Sequence, residues 1–293
     1  MPIPTANKMQ LLALTKKKRP GRKQSNLFIY VLLIVGLIVS VYPFYWLFIA
    51  ATLNESQIFQ LPPRFLPGSN LFENITNLQE RGPIWTTFAN SLFIATTFTV
   101  LTVYISALTG YAFAKFNFRH KELLFFSILV TMMLPQQVVM IPLFKMMTAI
   151  GWQNELKAVI IPSLANSFGV FFMRQNMMNV PTELLEAARI DGCRELSIFH
   201  RIVLPTVYPA MAALAILSFI QQWGNFMWPL IILQDQSQMT LPLFLSMLVQ
   251  PGQVIQYGEI LAGAVIGVLP VFLLFLFFQK YFVSGVYGGA VKG

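Results

Sequence analysis

The sequence predicts an all-α membrane protein with six transmembrane helices. Three observations carry this. The 293-residue chain is 56% hydrophobic and only 11% charged, far below the ~25% charge of an average soluble domain. Charge is absent from six long windows, most of them near the roughly 20 residues that a spanning helix needs. The polar residues gather in the stretches between, the most organised of which runs from Pro181 to Pro209.

In chain order, residues 1–26 form a basic tail with Lys8, Lys16, Lys17, Lys18, Arg19, Arg22 and Lys23. Directly before a hydrophobic span, such a run is a topology signal rather than a nucleic-acid arm. Leu27–Ala50 is the first span. It is too long for a signal-peptide core and no clear small-residue cleavage site follows, so it is expected to stay uncleaved. The other uncharged windows are Gly82–Ala114, Leu123–Phe144, Ala158–Met173, Ile202–Gln234 and Ile260–Gln279. They set a transmembrane domain at 27–282, with spans near 27–50, 86–114, 123–144, 157–174, 206–233 and 260–280. The fourth window has sixteen residues, so its ends rely on Lys157 and Arg174 reaching the interface. Thr52–Ile84, with Pro62, Pro63, Pro67 and Gly68, is expected to be an irregular surface loop. Asp235–Glu259 holds the apolar run Leu241–Val249 and then the turn signal Pro251-Gly252.

Six helices put both termini on one side, and the basic residues say which. With the N-terminus inside, sixteen of the twenty Lys and Arg fall in inner segments: the seven of the tail, Lys115, Arg119, Lys121, Arg174, Arg189, Arg194, Arg201, Lys280 and Lys292. Only Arg64, Arg81, Lys145 and Lys157 fall outside, while the acidic residues split five to six. A bias in Lys and Arg alone follows the positive-inside rule. It accounts for the net charge of +9 without nucleic acid, and it places 181–205 in the cytoplasm. The single Cys193 excludes an internal disulfide and a cysteine metal cluster, and the two histidines, His120 and His200, stand apart in polar loops. No metal site is expected.

The island reads P-T-E-L-L-E-A-A-R-I-D-G-C-R-E-L-S-I-F-H-R-I-V-L-P-T-V-Y-P from Pro181. Pro181 suits a first helical turn, and Glu183 and Glu186 favour the same helix end. Gly192 reads as a C-terminal cap in the left-handed conformation. A second short helix is expected over Arg194–Arg201, punctuated by Pro205 and Pro209. Ala187 and Ala188 are expected to keep one side narrow for close approach by a partner, with Glu186 and Asp191 offering charge.

Glu186-Ala187-Ala188, then Gly192, Ile202 and Leu204-Pro205, stand at the spacing of the EAA loop of ABC importer permeases, and the stretch resembles that loop at each defining position. Asp191 and Pro181 resemble the carbohydrate-uptake, maltose-type branch, and the last residues, 283–293, resemble the tail of its smaller permease subunit. The resemblance covers residues 25–293. It implies a type I ABC importer permease fold and a non-catalytic subunit of a binding-protein-dependent, ATP-driven sugar or oligosaccharide importer, with neutral and uronate oligosaccharides both open as substrates. The coupling loop would seat in the ATPase through Glu186, Ala187, Ala188, Asp191, Gly192, Ile202, Leu204 and Pro205. The partners implied are a second permease in a heterodimer, two cytoplasmic ATPase subunits, an extracytoplasmic sugar-binding protein and the lipid bilayer of a bacterial inner membrane. ATP and Mg would be bound by the ATPases, and no cofactor by this chain. In the family a loop placed like Asp235–Glu259 reaches into the binding protein; a re-entrant connector is the other reading of these residues. The tail 283–293, ending Val-Lys-Gly, resembles one that docks between two ATPases; a frayed glycine-rich end is its plain alternative.

No Asp, Glu, Lys, Arg or His lies within the six windows. Intramembrane charge usually marks an ion path, so an ion-coupled secondary transporter is disfavoured. A membrane-embedded enzyme is disfavoured by the lack of any H-E-x-x-H motif, Ser/His/Asp set or buried carboxylate pair. The phosphate loop G-x-x-x-x-G-K-[ST] is missing too, so ATP hydrolysis falls to another protein. A sugar path needs amides and aromatic faces. Ser218, Gln221, Gln222, Asn225 and Trp228 follow three- and four-residue spacing in the fifth window, and on one continuous helix they would share a face. They are the pathway candidates; packing between helices is the alternative use of the same groups. Ser106 with Gly110, and Gly263 with Gly267, have the small-xxx-small spacing of close helix contacts.

Overall fold

The computed structural model describes residues 22–250 and 254–290, with side chains over 27–250 and 254–278. The first span lies in α1 (Arg22–Ala50). After it come α2 (Glu55–Ile58) and α3 (Leu71–Arg81). The second span is α4 (Ile84–Lys115). Next are α5 (Lys121–Thr131), α6 (Gln136–Ala149), α7 (Leu156–Ile160) and α8 (Ser167–Met178). The hairpin region holds α9 (Thr182–Ile190), α10 (Glu195–Ile198) and α11 (Leu204–Thr206). The rest is α12 (Tyr208–Trp223), α13 (Met227–Ile232), α14 (Leu241–Met247) and α15 (Tyr257–Ala290). No strand occurs among the described residues.

Among the described residues, three helices are long and apolar enough to cross a bilayer unbroken: Leu27–Ala50, Ile84–Lys115 and Tyr257–Phe278. With each of three bent pairs taken as one span, the total is six. Here the continuous spans expected from the sequence need correction. The third is split into α5 and α6, which meet at 98°, because Pro135 disfavours helical backbone at Leu134. The fourth is bent by 43° between Leu164 and Ser167, where the Asn166 side chain accepts the Gly169 N–H at 2.7 Å and starts α8 afresh. The fifth turns by 81° at Val207 on leaving the hairpin and is broken again at Gly224.

The hub is α4, with α8 and α12 packed along it. Its buried positions include Thr87, Ser91, Ala95, Thr99, Thr102, Ser106 and Gly110. This stripe of small side chains at helical spacing lets neighbouring helices approach closely. At Gly110 a Cβ would lie 2.8 Å from Arg174 N and 2.9 Å from Met173 Cβ, and at Gly169 one would lie 2.4 Å from Ser106 Oγ. Both small pairs noted in the sequence therefore serve contacts inside the chain. Gly263 and Gly267 likewise face Leu245, Leu78 and Leu241.

The segment expected to be an irregular loop carries the eleven-residue α3. That helix is fastened to the turn after α1 and to α15: Asn74 Nδ2 donates to Ala51 O at 2.9 Å and Leu53 O at 3.0 Å, and Arg81 Nε lies 2.5 Å from Glu259. The apolar run from Leu241 does not project. Its Leu241, Leu243 and Phe244 are buried, and Phe244 occupies the space that a side chain at Gly82 would need. The turn at 251–253 lies outside the described residues. At the C-terminus the backbone of α15 stays helical to Ala290, past the expected end of the sixth span. Its side chains and the terminal Val-Lys-Gly lie outside the described residues.

Candidate coupling hairpin and transport path

The hairpin forms because its turn chemistry closes α9. Gly192 has φ +76°, a region that glycine enters without steric cost. Its N–H donates to Arg189 O at 3.0 Å, and the Cys193 N–H reaches back to Ala188 O at 3.0 Å. These bonds satisfy carbonyls that the helix end would otherwise leave unpaired. Nothing lies within 4 Å of where a Gly192 Cβ would sit, so the backbone conformation, not space, demands glycine.

Beyond the turn, the second arm is longer than expected. It runs from Glu195 through a π-helical stretch, Phe199–Val203, to Thr206. Ile202 and Leu204 are thus helical and half-buried against the core, while Pro205 is exposed. Ala187 and Ala188 part company. Ala188 is buried beside Leu185, whereas Ala187 points out with Glu183, Leu184, Glu186 and Ile190. The pair is not one narrow side; Ala188 seats the helix and Ala187 opens its outer face. Asp191 and Gly192 are exposed at the tip.

The inner face packs into a cluster that includes Val103, Ala107 and Tyr111 of α4, Met173 and Met177 of α8, and Ile198, Phe199 and Val203 of the second arm. Polar bonds ring this cluster. Lys115 Nζ donates to Val180 O at 2.5 Å. Arg189 Nε donates to Glu195 Oε1 at 2.6 Å, and Tyr111 OH donates to Glu195 Oε2 at 3.0 Å. The Arg189 bond holds the Glu195 carboxyl below the usual carboxylate range and raises Arg189 in turn. The sequence did not mark Tyr111, Lys115, Arg189 and Glu195 as a linked set. The four-residue step from Tyr111 to Lys115 at a helix end, and the opposite charges flanking Gly192, were the available signals.

The pathway residues do not share one helix face. α12 ends at Trp223, so Asn225 sits in the break and Trp228 on α13. Gly224 and Pro229 interrupt the period on which the expected face depended. Trp228 is buried and donates from Nε1 to Ala158 O at 2.9 Å, which ties α13 to α7. Gln221 is exposed and Asn225 half-buried. Ser218 and Gln222 are buried, and neither Ser218 Oγ nor Gln222 Nε2 has a hydrogen-bond partner among the described residues. Asn225 Nδ2 lies 3.4 Å from Gln222 Oε1.

A family profile described as "Binding-protein-dependent transport system inner membrane component" matches residues 103–286. The chain belongs to this family. It is a membrane-spanning transport permease and not an enzyme, which sets aside both disfavoured alternatives. The arabinooligosaccharides transport system permease protein AraQ of Bacillus subtilis is 42% identical over 76% of this chain and 79% of its own. The lactose transport system permease protein LacG of Rhizobium radiobacter is 35% identical over 91% of this chain and 97% of its own. The sn-glycerol-3-phosphate transport system permease protein UgpE of Yersinia pestis is 32% identical over the same shares, 91% and 97%. Among solved structures, a chain of a bacterial ABC transporter involved in alginate import superposes with a TM-score of 0.77 at 23% identity. It is covered to 99% by 90% of this permease, and it establishes the shared fold.

Proposed function

We propose that this permease pairs with a second, different permease and forms half of the path through an ATP-driven oligosaccharide importer in a bacterial inner membrane. Two cytoplasmic ATPases hydrolyse ATP with Mg, and an extracytoplasmic binding protein delivers the sugar. Both termini and the hairpin face the cytoplasm. The observation that carries this reading is the hairpin itself. Glu183, Glu186, Ala187 and Ile190 stand on its outer face while Leu185 and Ala188 anchor it to the core beneath α4.

The cargo we favour is a neutral oligosaccharide. The relatives named for arabinooligosaccharides and lactose support a sugar. Both of those named sugars are uncharged, which favours neutral over uronate chains. Gln222 and Asn225, at the break after α12, are the path candidates, since non-helical backbone at membrane depth is tolerated only inside protein or along a watered cavity.

The test uses vesicles carrying the complete importer. In Gly192→Val a β-branched residue takes a left-handed backbone at a cost of about 1–3 kcal/mol, and Glu186→Lys reverses a charge on the outer face. Both variants should insert and pair normally, yet lose most binding-protein-stimulated ATPase activity and sugar uptake. Wild-type stimulation and uptake in both would remove the hairpin from the coupling role. Uptake of uronate oligomers in preference to neutral ones would overturn the cargo assignment alone.

A further inference from the structure

The glycine turn that shapes the hairpin also makes it pliable. The short turn from Asp191 to Arg194 is the only backbone joining α9 to the second arm, and Gly192 touches nothing with its open side. A push on α9 would be absorbed as a pivot about that turn unless the arms are cross-linked. They are, and the link continues into α4. One carboxylate, Glu195, takes Arg189 of α9 on Oε1 at 2.6 Å and Tyr111 of α4 on Oε2 at 3.0 Å. Tyr111 is itself buried, with its ring 5.4 Å from Phe199 and 5.3 Å from Phe116. The Arg189 guanidinium lies 5.9 Å from the Phe116 ring. At the other end of α9, Lys115 of α4 holds Val180 O at 2.5 Å.

We infer that Glu195 is a positioning residue for coupling, a three-way clasp that makes α9, the second arm and the inner end of α4 move as one lever. The inference rests on the hairpin's coupling role proposed above. An exposed Arg–Glu pair alone contributes little. Here the carboxylate also accepts from a buried phenol, and a hydrogen bond to a charged group is stronger than a neutral one. The lever has reach. α4 has 32 residues, about 48 Å at 1.5 Å per residue, against a hydrocarbon core of about 30 Å. Its inner third therefore sits at hairpin level, and α8 and α12 pack along the same helix. Displacement of α9 is delivered through Glu195 to the helix around which the transmembrane bundle is built.

The test compares Tyr111→Phe, Glu195→Ala and the double variant with wild type in the full importer. Three quantities are read: ATPase retained on pull-down, thermal stability, and sugar taken up per ATP hydrolysed. Tyr111→Phe removes one hydroxyl and leaves the ring in place. The clasp predicts wild-type retention and stability for it, with uptake per ATP reduced about 3- to 10-fold, the scale of one hydrogen bond to a half-exposed charge. Glu195→Ala should fall at least as far, and the double variant no further than Glu195→Ala. Unchanged uptake per ATP in both single variants, beside an impaired Glu186→Lys, would overturn the clasp and leave the hairpin's role standing. Additive losses in the double variant, or loss of the ATPase in Tyr111→Phe, would overturn it as well.

Discussion

Gln222 shows what a single polar side chain costs inside hydrocarbon. Its Nε2 is buried without a partner among the described residues, and an unsatisfied amide is expensive there. Replacement by an apolar residue of similar length removes that penalty. If Gln222 were only packing, Gln222→Leu would leave transport unchanged and raise stability. A path role predicts the opposite for function: Gln222→Leu and Asn225→Leu should each lower sugar uptake several-fold at normal assembly and normal ATPase retention. Uptake assays beside a purification yield separate the two cases, and normal uptake in both variants ends the path assignment. Trp228 is a different case. Its indole N–H is committed to Ala158 O, so its burial is explained by packing alone.

Among the elements, α4 and α8 cross closely, because Gly110 and Gly169 remove the side chains that would hold them apart. At Gly110 the obstructing atoms include the backbone of Arg174 and Met173, which cannot rotate away. Gly110→Leu should therefore destabilise the permease by about 1–3 kcal/mol or more, read as a drop in Tm and in yield of the detergent-purified complex. Gly36→Ala, with nothing within 4 Å, should be neutral. A Gly110→Leu protein as stable as wild type would show that this crossing is looser than its geometry. The elements also mark what the sequence could and could not tell. Charge-free windows locate spans because burying a charge is costly, so all six windows were legible. Breaks inside a window are silent in that signal. The bends between α5 and α6 and at Gly224 arise from Pro135 and Gly224, residues that a membrane helix often tolerates. The face drawn through Ser218, Asn225 and Trp228 failed for that reason, since it extended one helical period across a break. α3 was hidden by its Pro-rich approach, though its own residues Leu71–Arg81 contain no proline. The hairpin was legible because Gly192 and the flanking charges write a helix end into the local sequence. The clasp on Tyr111 was not, because it joins residues 84 apart.

For the whole molecule the governing asymmetry is charge. One end of the bundle carries Lys115, Lys121 and the hairpin with Arg189, Arg194 and Arg201; the other carries Arg64, Lys145, Lys157 and Arg81, the last paired with Glu259. A membrane potential and anionic inner lipids both favour the first end inside. Cys193, the sole cysteine in the sequence, is exposed beside Gly192, so the chain carries its own topology probe. A membrane-impermeant maleimide added to intact cells, with any outer membrane made permeable, should leave Cys193 unlabelled. The same reagent should label it once the inner membrane is opened and the ATPase is stripped away. A Cys193→Ser, Ser237→Cys variant reverses the expectation, since Ser237 is exposed between α13 and α14 at the opposite end. It should label in intact cells. Labelling of Cys193 from outside, with Ser237→Cys silent, would invert the protein in the membrane. The hairpin would then be beyond reach of any cytoplasmic ATPase, and the coupling role and the clasp would fall together.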